Sequence, residues 1–391
     1  MIPRKLLDTS ILSAWLFGFR SVVCSSCSIA DIFPTLYVAH QNRSVLTVHF
    51  DPTKAPEESL EIVQAVHAGF QPGWLCTHDS NLYAVSRSKY PDSSSPSGGI
   101  FAFAHTQSSG LFGIGDTTSD GEGGVFCDIS KDGRVLSVAN ILAQPGPGTN
   151  GSQIQSNPHQ AVFDPSGQLM IVPDRGADRV YFYRVSSSSD LGLDVALAQN
   201  ITLPPGSGPR HAIFQVINDR ATIMYLVGEL DNTIRAFLIG DTASSLTLNI
   251  TMLQIVSTLG PGAKRTDPNN EHLASEVAIS TDGRFLYVSN RNTVSYDADS
   301  IAIFALQPSD TKAPLTYLGQ NSTLGKIPRH FSLSQDPENK WVAVANEVSN
   351  NILLFKRNKK SGFLEDGIVG NLTLGDFDIS LERGPMAVIC G

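Results

Sequence analysis

The chain has 391 residues, 41% hydrophobic and 17% charged, enough apolar material for a large core in two average domains or one large repeat fold. Its net charge of −9, with no basic stripe, argues against a nucleic-acid partner; the one basic run, Lys356–Lys360 (KRNKK), reads as a solvated loop. Frequent Gly (33) and Pro (22) punctuate the chain as strands and turns do.

Residues 1–30 (MIPRKLLDTSILSAWLFGFRSVVCSSCSIA) pair a basic start with a short apolar stretch, Ile11–Phe19, and small residues near Ala30. That is the pattern of a secretory signal, although Asp8 and Arg20 interrupt it. The segment is too short and too charged to span a bilayer. We therefore expect a signal over 1–30, one domain over 31–391, and a secreted protein, with a cytoplasmic one as the alternative. Six Asn-X-Ser/Thr sequons, at Asn42, Asn150, Asn200, Asn249, Asn321 and Asn371, point the same way. Cys24 and Cys27 would leave with the signal. Cys76, Cys127 and Cys390 each lie in an apolar run and read as buried free thiols. No Cys/His spacing fits zinc, and no metal or cofactor is expected.

One pattern recurs from end to end: an apolar run, a turn, a second apolar run closing on a polar residue. It appears at Trp74–Ser86 (WLCTH-DSN-LYAVS), Val125–Asn140 (VFCDI-SKDG-RVLSVAN) and His159–Asp174 (HQAVF-DPSG-QLMIVPD). It returns at Arg210–Glu229 (RHAIF-QVINDRAT-IMYLVGE), Ser275–Asn290 (SEVAI-STDG-RFLYVSN) and Arg329–Glu347 (RHFSL-SQDPENK-WVAVANE). The turns carry Asp-Gly, Pro-Ser-Gly or Asp-Pro, and the runs are rich in Val, Ile, Phe and Tyr, so these are hairpins of short strands. A seventh copy is split: Thr35–His40 (TLYVAH) is a second strand without a first, and Gly384–Cys390 (GPMAVIC) a first strand without a second. Pairing the two closes a ring, and the fold class expected is an all-β seven-bladed β-propeller closed by its C-terminal strand on the N-terminal blade. GIGDTTSDGEGG and AQPGPGTNGSQIQS read as loops or insertions, and the acidic residues of the first lack EF-hand spacing for calcium.

In such a blade the start of the first strand and the end of the second share one mouth of the channel. His159, Arg210, Glu276 and Arg329 hold the first position; Asp174, Glu229, Arg291 after Asn290, and Asn346 with Glu347 hold the second. Taken singly each has a plain reading: a strand-end histidine, bridging Arg–Glu pairs, and Asp174 and Asp178 as turn formers. Their convergence makes a funnel of guanidinium, imidazole and carboxylate, suited to an anion or a developing oxyanion and to proton transfer. His211 and His330 follow the arginines directly, so strand alternation turns them away.

Five segments carry a family resemblance: NPHQAVFDPSGQLMIVPDRGADRV, GSGPRHAIF, YLVGELDNTI, SEVAISTDGRFLYVSNRN and IPRHFSLS. Together they resemble the seven-bladed propeller lactonases, a family that includes 6-phosphogluconolactonases and fungal carboxy-cis,cis-muconate cyclases, over nearly all of the chain after residue 30. The resemblance implies metal-independent lactone chemistry at the channel mouth, with His159, Arg210, Glu229 and Arg291 as the catalytic set. Arg329, Glu276, Asn346, Glu347 and Asp174 are expected to bind the substrate, a small lactone or dicarboxylate. Two departures bear on its identity: Asn157 stands where relatives often have a second histidine, and Arg175 where the turn usually reads Asp-Leu-Gly. Hydrolysis of a sugar-type or secondary-product lactone is the leading expectation. The alternatives are muconate-cyclase-type cycloisomerisation and a non-catalytic propeller that binds a partner or glycan; oligomeric state stays open. No G-x-S-x-G, H-E-x-x-H or P-loop is present, and no G-x-G-x-x-G directly follows a strand.

The signal reading predicts that protein recovered from the medium begins near residue 30, as N-terminal sequencing would read; a chain starting at Met1 inside cells would overturn it.

Overall fold

A computed structural model describes residues 13–16, 34–42, 44–106, 110–142, 150–187, 193–219, 221–240, 248–263, 272–292, 298–375 and 384–391. Its strands form seven antiparallel sheets, six of four strands and one of three.

In chain order, β1 is Ser13–Leu16. It is followed by β2 (Thr35–His40), β3 (Ser44–Phe50) and β4 (Leu60–His67) of blade 1. Blade 2 is β5 (Phe70–His78), β6 (Asn81–Ser88), β7 (Gly99–Thr106) and β8 (Gly110–Thr118). Blade 3, among the described residues, is β9 (Glu122–Ile129) and β10 (Val135–Ile141), with β1 on the outside of β10. Blade 4 is β11 (Val162–Phe163), β12 (Leu169–Asp174), β13 (Arg179–Ser187) and β14 (Leu193–Thr202). Blade 5 is β15 (Pro209–Asn218), β16 (Ala221–Gly228), β17 (Thr233–Gly240) and β18 (Ile250–Ser257). Blade 6 is β19 (Leu273–Ile279), β20 (Phe285–Arg291), β21 (Ser300–Leu306) and β22 (Leu315–Ser322). Blade 7 is β23 (Pro328–Leu333), β24 (Trp341–Asn346), β25 (Asn351–Lys356) and β26 (Gly370–Thr373). The last strand, β27 (Pro385–Cys390), lies antiparallel to β2, Val38 opposite Val388, as the inner strand of blade 1. The inner strands neighbour one another from β15 through β19, β23, β27, β5 and β9 to β11, and β15 meets blade 4 through β12, which completes the ring.

Stacking blade on blade explains the sequence pattern. A second strand is covered on both faces, so it reads as a continuous apolar run: Ile223–Gly228 of β16 is buried without a break. The outer strand β22 alternates instead between exposed and half-buried residues. The core lies between blades; Tyr225 and Ile234 of blade 5, for example, pack on Leu286, Val288 and Phe304 of blade 6.

Several expectations are corrected. GIGDTTSDGEGG is no insertion: it supplies most of β8, a turn and the start of β9. Of AQPGPGTNGSQIQS, residues 143–149 lie outside the described residues, as does the signal expected over 1–30 apart from β1. QVIN, read as a turn, extends β15, whereas the strand expected at HQAVF shortens to two residues. Cys76 and Cys127 are not free thiols but a disulfide, their Cα atoms 6.0 Å apart; only Cys390 is free among the described cysteines. They lie on β5 and β9, neighbouring inner strands, and this proximity is set by blade packing and not by sequence distance.

A bridge across a sequence separation of 51 restricts the unfolded chain. Replacing both partners with serine should lower unfolding free energy by about 4 kcal/mol on the chain-entropy model, measured by urea denaturation. A loss below about 1 kcal/mol would mean that blade packing alone holds β5 against β9.

Candidate active site at the channel mouth

Each inner strand carries at least one residue more than its partner near the mouth. Arg210 and His211 oppose Val227 alone, between the pairs Pro209–Gly228 and Ala212–Leu226. Ser275 and Glu276 oppose Ser289 alone, between Ala274–Asn290 and Val277–Val288. Arg329 is the extra residue between Pro328–Asn346 and His330–Ala345. Such bulges re-aim side chains. The prolines sit where a ladder donor can be spared. Gly208, just before Pro209, needs a positive φ (55°); its N–H donates to Asp178 Oδ1 (2.7 Å), and its carbonyl accepts from Glu229 N (2.8 Å).

Around the mouth, Glu229 is surrounded by guanidinium. Arg175 Nε is 2.8 Å from Oε1, Arg210 Nε 2.9 Å from Oε2 and Arg291 Nη2 3.2 Å from Oε2. Arg175 also donates to Ser152 Oγ (3.0 Å). Arg329 Nη1 lies 3.9 Å from Glu347 Oε2, and Gln41 donates to Glu347 Oε1 at 2.7 Å. A second group comes from the inner strands. His159 Nδ1 is 3.0 Å from His211 Nε2. His211 Nδ1 is 3.1 Å from Glu276 Oε2, and His330 Nε2 is 3.6 Å from the same oxygen. Trp74 of β5 stands edge-on between them, 5.1 Å from the His211 ring and 4.7 Å from that of His330, with Phe126 of β9 beside it.

The centre of this is buried, with Arg210 and His211 fully enclosed and Glu229 4% exposed, whereas Arg175 and Arg329 are half-buried and Ser152 is exposed. Burial raises the Glu229 carboxyl, but Arg175, Arg291 and Arg210 outweigh it and hold it well below the usual carboxylate range. Burial, opposed by His211 and His330, leaves Glu276 at about 2. Burial brings His211 down to about 4, and burial with Arg210 close by carries His159 well below its ordinary value. At neutral pH the site therefore holds charged carboxylates and neutral imidazoles. Burial and Arg291 lower Arg210 to about 9, still cationic. Nε and Nη2 of both Arg210 and Arg291 are buried without a hydrogen-bond acceptor among the described residues; their contacts to Glu229 are ion pairs that leave these N–H groups unaligned.

The expected site residues His159, Arg210, Glu229, Arg291, Glu276, Arg329 and Glu347 thus converge. Asp174 and Asn346 do not join them. The Asp174 carboxylate accepts from Ser156 Oγ and from the amides of Asn157, Gly176 and Ala177, holding a turn. Asn346 donates to Thr323 O and Asn351 Oδ1, as Asn290 donates to Thr258 O in the next blade. Asn346 and Asn290 secure their blades, whereas Gln41, Arg175, Glu229 and Glu347 each stand one residue past the end of a second strand. His211 and His330, set aside on strand alternation, are in the cluster because the bulges break that alternation. Gln41 and Arg175 were also missed as site residues; their place one past a second strand was the available signal. Among the described residues no group of three or more His, Cys, Asp or Glu is arranged to hold a metal ion. A shallow cleft lined by Asp164, Phe214, Asn218 and Asp219 lies at the other end of β15, away from the cluster.

Residues 127–369 match the family model of the seven-bladed β-propeller lactonases. The chain belongs to that family. A 6-phosphogluconolactonase of Formosa agariphila is 28% identical over 61% of this chain and 62% of its own length. A probable 6-phosphogluconolactonase of Arthroderma benhamiae is 32% identical over 53% of this chain and 48% of its own. The chain thus spans roughly half to three-fifths of these relatives. The solved periplasmic gluconolactonase PpgL of Pseudomonas aeruginosa superposes with a TM-score of 0.72, at 24% identity, covering 91% of this chain and 98% of its own. That likeness is one of fold. No helix among the described residues is long and apolar enough to cross a membrane.

The buried groups set the acid stability. In the fold His211 titrates near 4 against 6.5 and Glu276 near 2 against 4.5, so the unfolded chain binds more protons in both windows. Stability should be full above about pH 6.5, decline toward pH 4 as the unfolded histidines take up protons, and decline further below 4.5 as the carboxylates do. Melting temperature across pH checks this; a flat profile from about pH 7 to 4 would contradict it.

Proposed function

We propose that the protein is a lactonase that hydrolyses a small anionic lactone at the channel mouth without a metal. One juxtaposition supports this best: a neutral His159 imidazole in one cluster with Arg210 and Arg291, whose buried N–H groups have no acceptor. Unsatisfied buried donors suit an oxyanion or carboxylate. In the proposed step His159 Nε2 takes a proton from water as the water oxygen bonds to the ring carbonyl carbon. The carbonyl pair moves to oxygen, and Arg210 and Arg291 hold this oxyanion and the substrate's anionic group. Collapse breaks the carbon–ring-oxygen bond, and His159 returns its proton to that oxygen. The product hydroxy acid then ionises. Glu229 orders the guanidinium groups and is too strongly held as a carboxylate to serve as the base. Arg329 and Glu347 complete the lining.

The names of the relatives point to sugar lactones. The Cys76–Cys127 disulfide and the six sequons favour an oxidising compartment, where an unphosphorylated lactone fits better than an intracellular phosphate ester. Cycloisomerisation of a muconate needs a group that protonates carbon, a poor match for imidazoles held neutral and a carboxyl held ionised.

His159→Ala should cost about 10²–10⁴-fold in kcat and Arg210→Ala about 10²–10³-fold, with both variants folded by circular dichroism. Acid release from an aldonolactone in a pH-stat measures the hydrolysis, and loss of ultraviolet absorbance measures turnover of a carboxymuconate. Wild-type rates in both variants, or muconate turnover alone, would overturn the reading.

A further inference from the structure

The two histidines and Glu276 form a chain with a direction. Glu276 accepts the Val277 amide at Oε1 (3.0 Å) and faces His211 Nδ1 at 3.2 Å from Oε1 and 3.1 Å from Oε2. A carboxylate only accepts, so His211 Nδ1 carries the proton. A neutral imidazole has one N–H, so His211 Nε2 must accept. The ring nitrogen 3.0 Å away, His159 Nδ1, is then the donor, which leaves the unshared pair of His159 on Nε2. That atom makes no hydrogen bond to the described residues. Arg210 Nη1 donates to Ser275 O (3.1 Å) and stands 3.2 Å from both His211 Nδ1 and His211 Nε2, so the order is set by Glu276. His330 agrees with it: its Nδ1 accepts from Val388 N (3.3 Å), so its Nε2–H faces Glu276. Trp74 and Phe126 pack on the His211 ring and keep it in place.

We infer that Glu276 and His211 are positioning residues that fix His159 as the Nδ1–H tautomer, with Nε2 as the proton acceptor, and that Glu276 stabilises the imidazolium formed when His159 is protonated. The inference rests on the lactonase reading for its catalytic meaning, but its tautomer content stands apart. The charged groups facing His159 are Arg210 of β15, Arg329 of β23 and Arg175 of the β12–β13 turn, all opposing its protonation, with His211 in contact. Through His211, Glu276 is the counterweight.

Two measurements test this on the full chain. With ¹⁵N-labelled histidine, long-range ¹H–¹⁵N spectra at neutral pH should place the protons of His159 and His211 on Nδ1 and that of His330 on Nε2, assigned by single His→Gln variants. A His159 proton on Nε2 would falsify the relay, whatever the enzyme does. In kinetics, Glu276→Gln and His211→Phe should each lower kcat about 10- to 100-fold while KM stays within about threefold. In Glu276→Gln the acid limb of the kcat/KM profile should move to lower pH, because the imidazolium loses its counter-charge; a purely structural role would leave that limb in place. If both variants keep wild-type kcat and pH profile while His159→Ala is inactive, the relay fails and the lactonase reading survives. If His159→Ala hydrolyses normally, the lactonase reading fails and the spectra still decide the tautomers.

Discussion

A bulge at the mouth end of each inner strand is the constraint on which the site depends. A regular pleat sends consecutive residues to opposite faces. Arg210 and His211 would then part, one into the blade and one into the channel. Because two residues there oppose Val227 alone, both reach the same cluster. Irregular backbone leaves ladder groups to satisfy, and carboxylates beside the bulges do so. Asp178 takes the amides of Gly206 and Gly208, and Asp299 takes that of Ile327. These aspartates hold the strands that carry the arginines.

Collecting guanidinium groups in so enclosed a place has a cost that their common carboxylate only partly offsets. A buried ion network is weak evidence of stability, since apolar replacements often do as well. Under the proposed function its justification is electrostatic: dipoles and charges held in advance need no reorganisation when charge develops in a transition state. Glu229 fits that role. It draws Arg175, Arg210 and Arg291 to one point, while four of their nitrogens keep no acceptor of their own. The scaffold beneath, paired strands covered on both faces, is rigid enough to hold charges in so costly an arrangement.

Topology was the legible part of the sequence. Hairpin punctuation marks the blades, and the half-repeat at each end pairs as β2 with β27. Placing strand starts and strand ends at one mouth found Arg210, Glu229, Arg291, Arg329 and Glu347. The same rule included Asp174 and Asn346, which stand one residue too early. The last paired residue still points into the blade, and the next is the first free of the ladder. Alternation excluded His211 and His330 because a bulge has no signature that a single sequence reveals; the repeated Pro-Arg-His was its trace. The disulfide was hidden for another reason. Neighbouring inner strands are joined through whole blades, so contacts between them leave no mark in local spacing.

The two Pro-Arg-His copies also show how a repeat acquires chemistry. Both use the same backbone device, even to the left-handed residue before proline, Gly208 at φ 55° and Ile327 at φ 57°. A β-branched residue adopts that conformation only when its surroundings impose it. Here Asp299 and the Glu347 amide grip Ile327, as Asp178 and the Glu229 amide grip Gly208. The side chains then diverge. Arg210 meets a carboxylate shared with two more arginines, whereas Arg329 meets one shared with Gln41. His330 has one nitrogen occupied by the Val388 amide, whereas His211 passes its second nitrogen on to His159. Equivalent places thus become a terminal support and a connecting link. Identical blades would surround the axis with identical groups; the proposed proton transfer needs a donor side and an acceptor side, and these arise where the blades stop being alike.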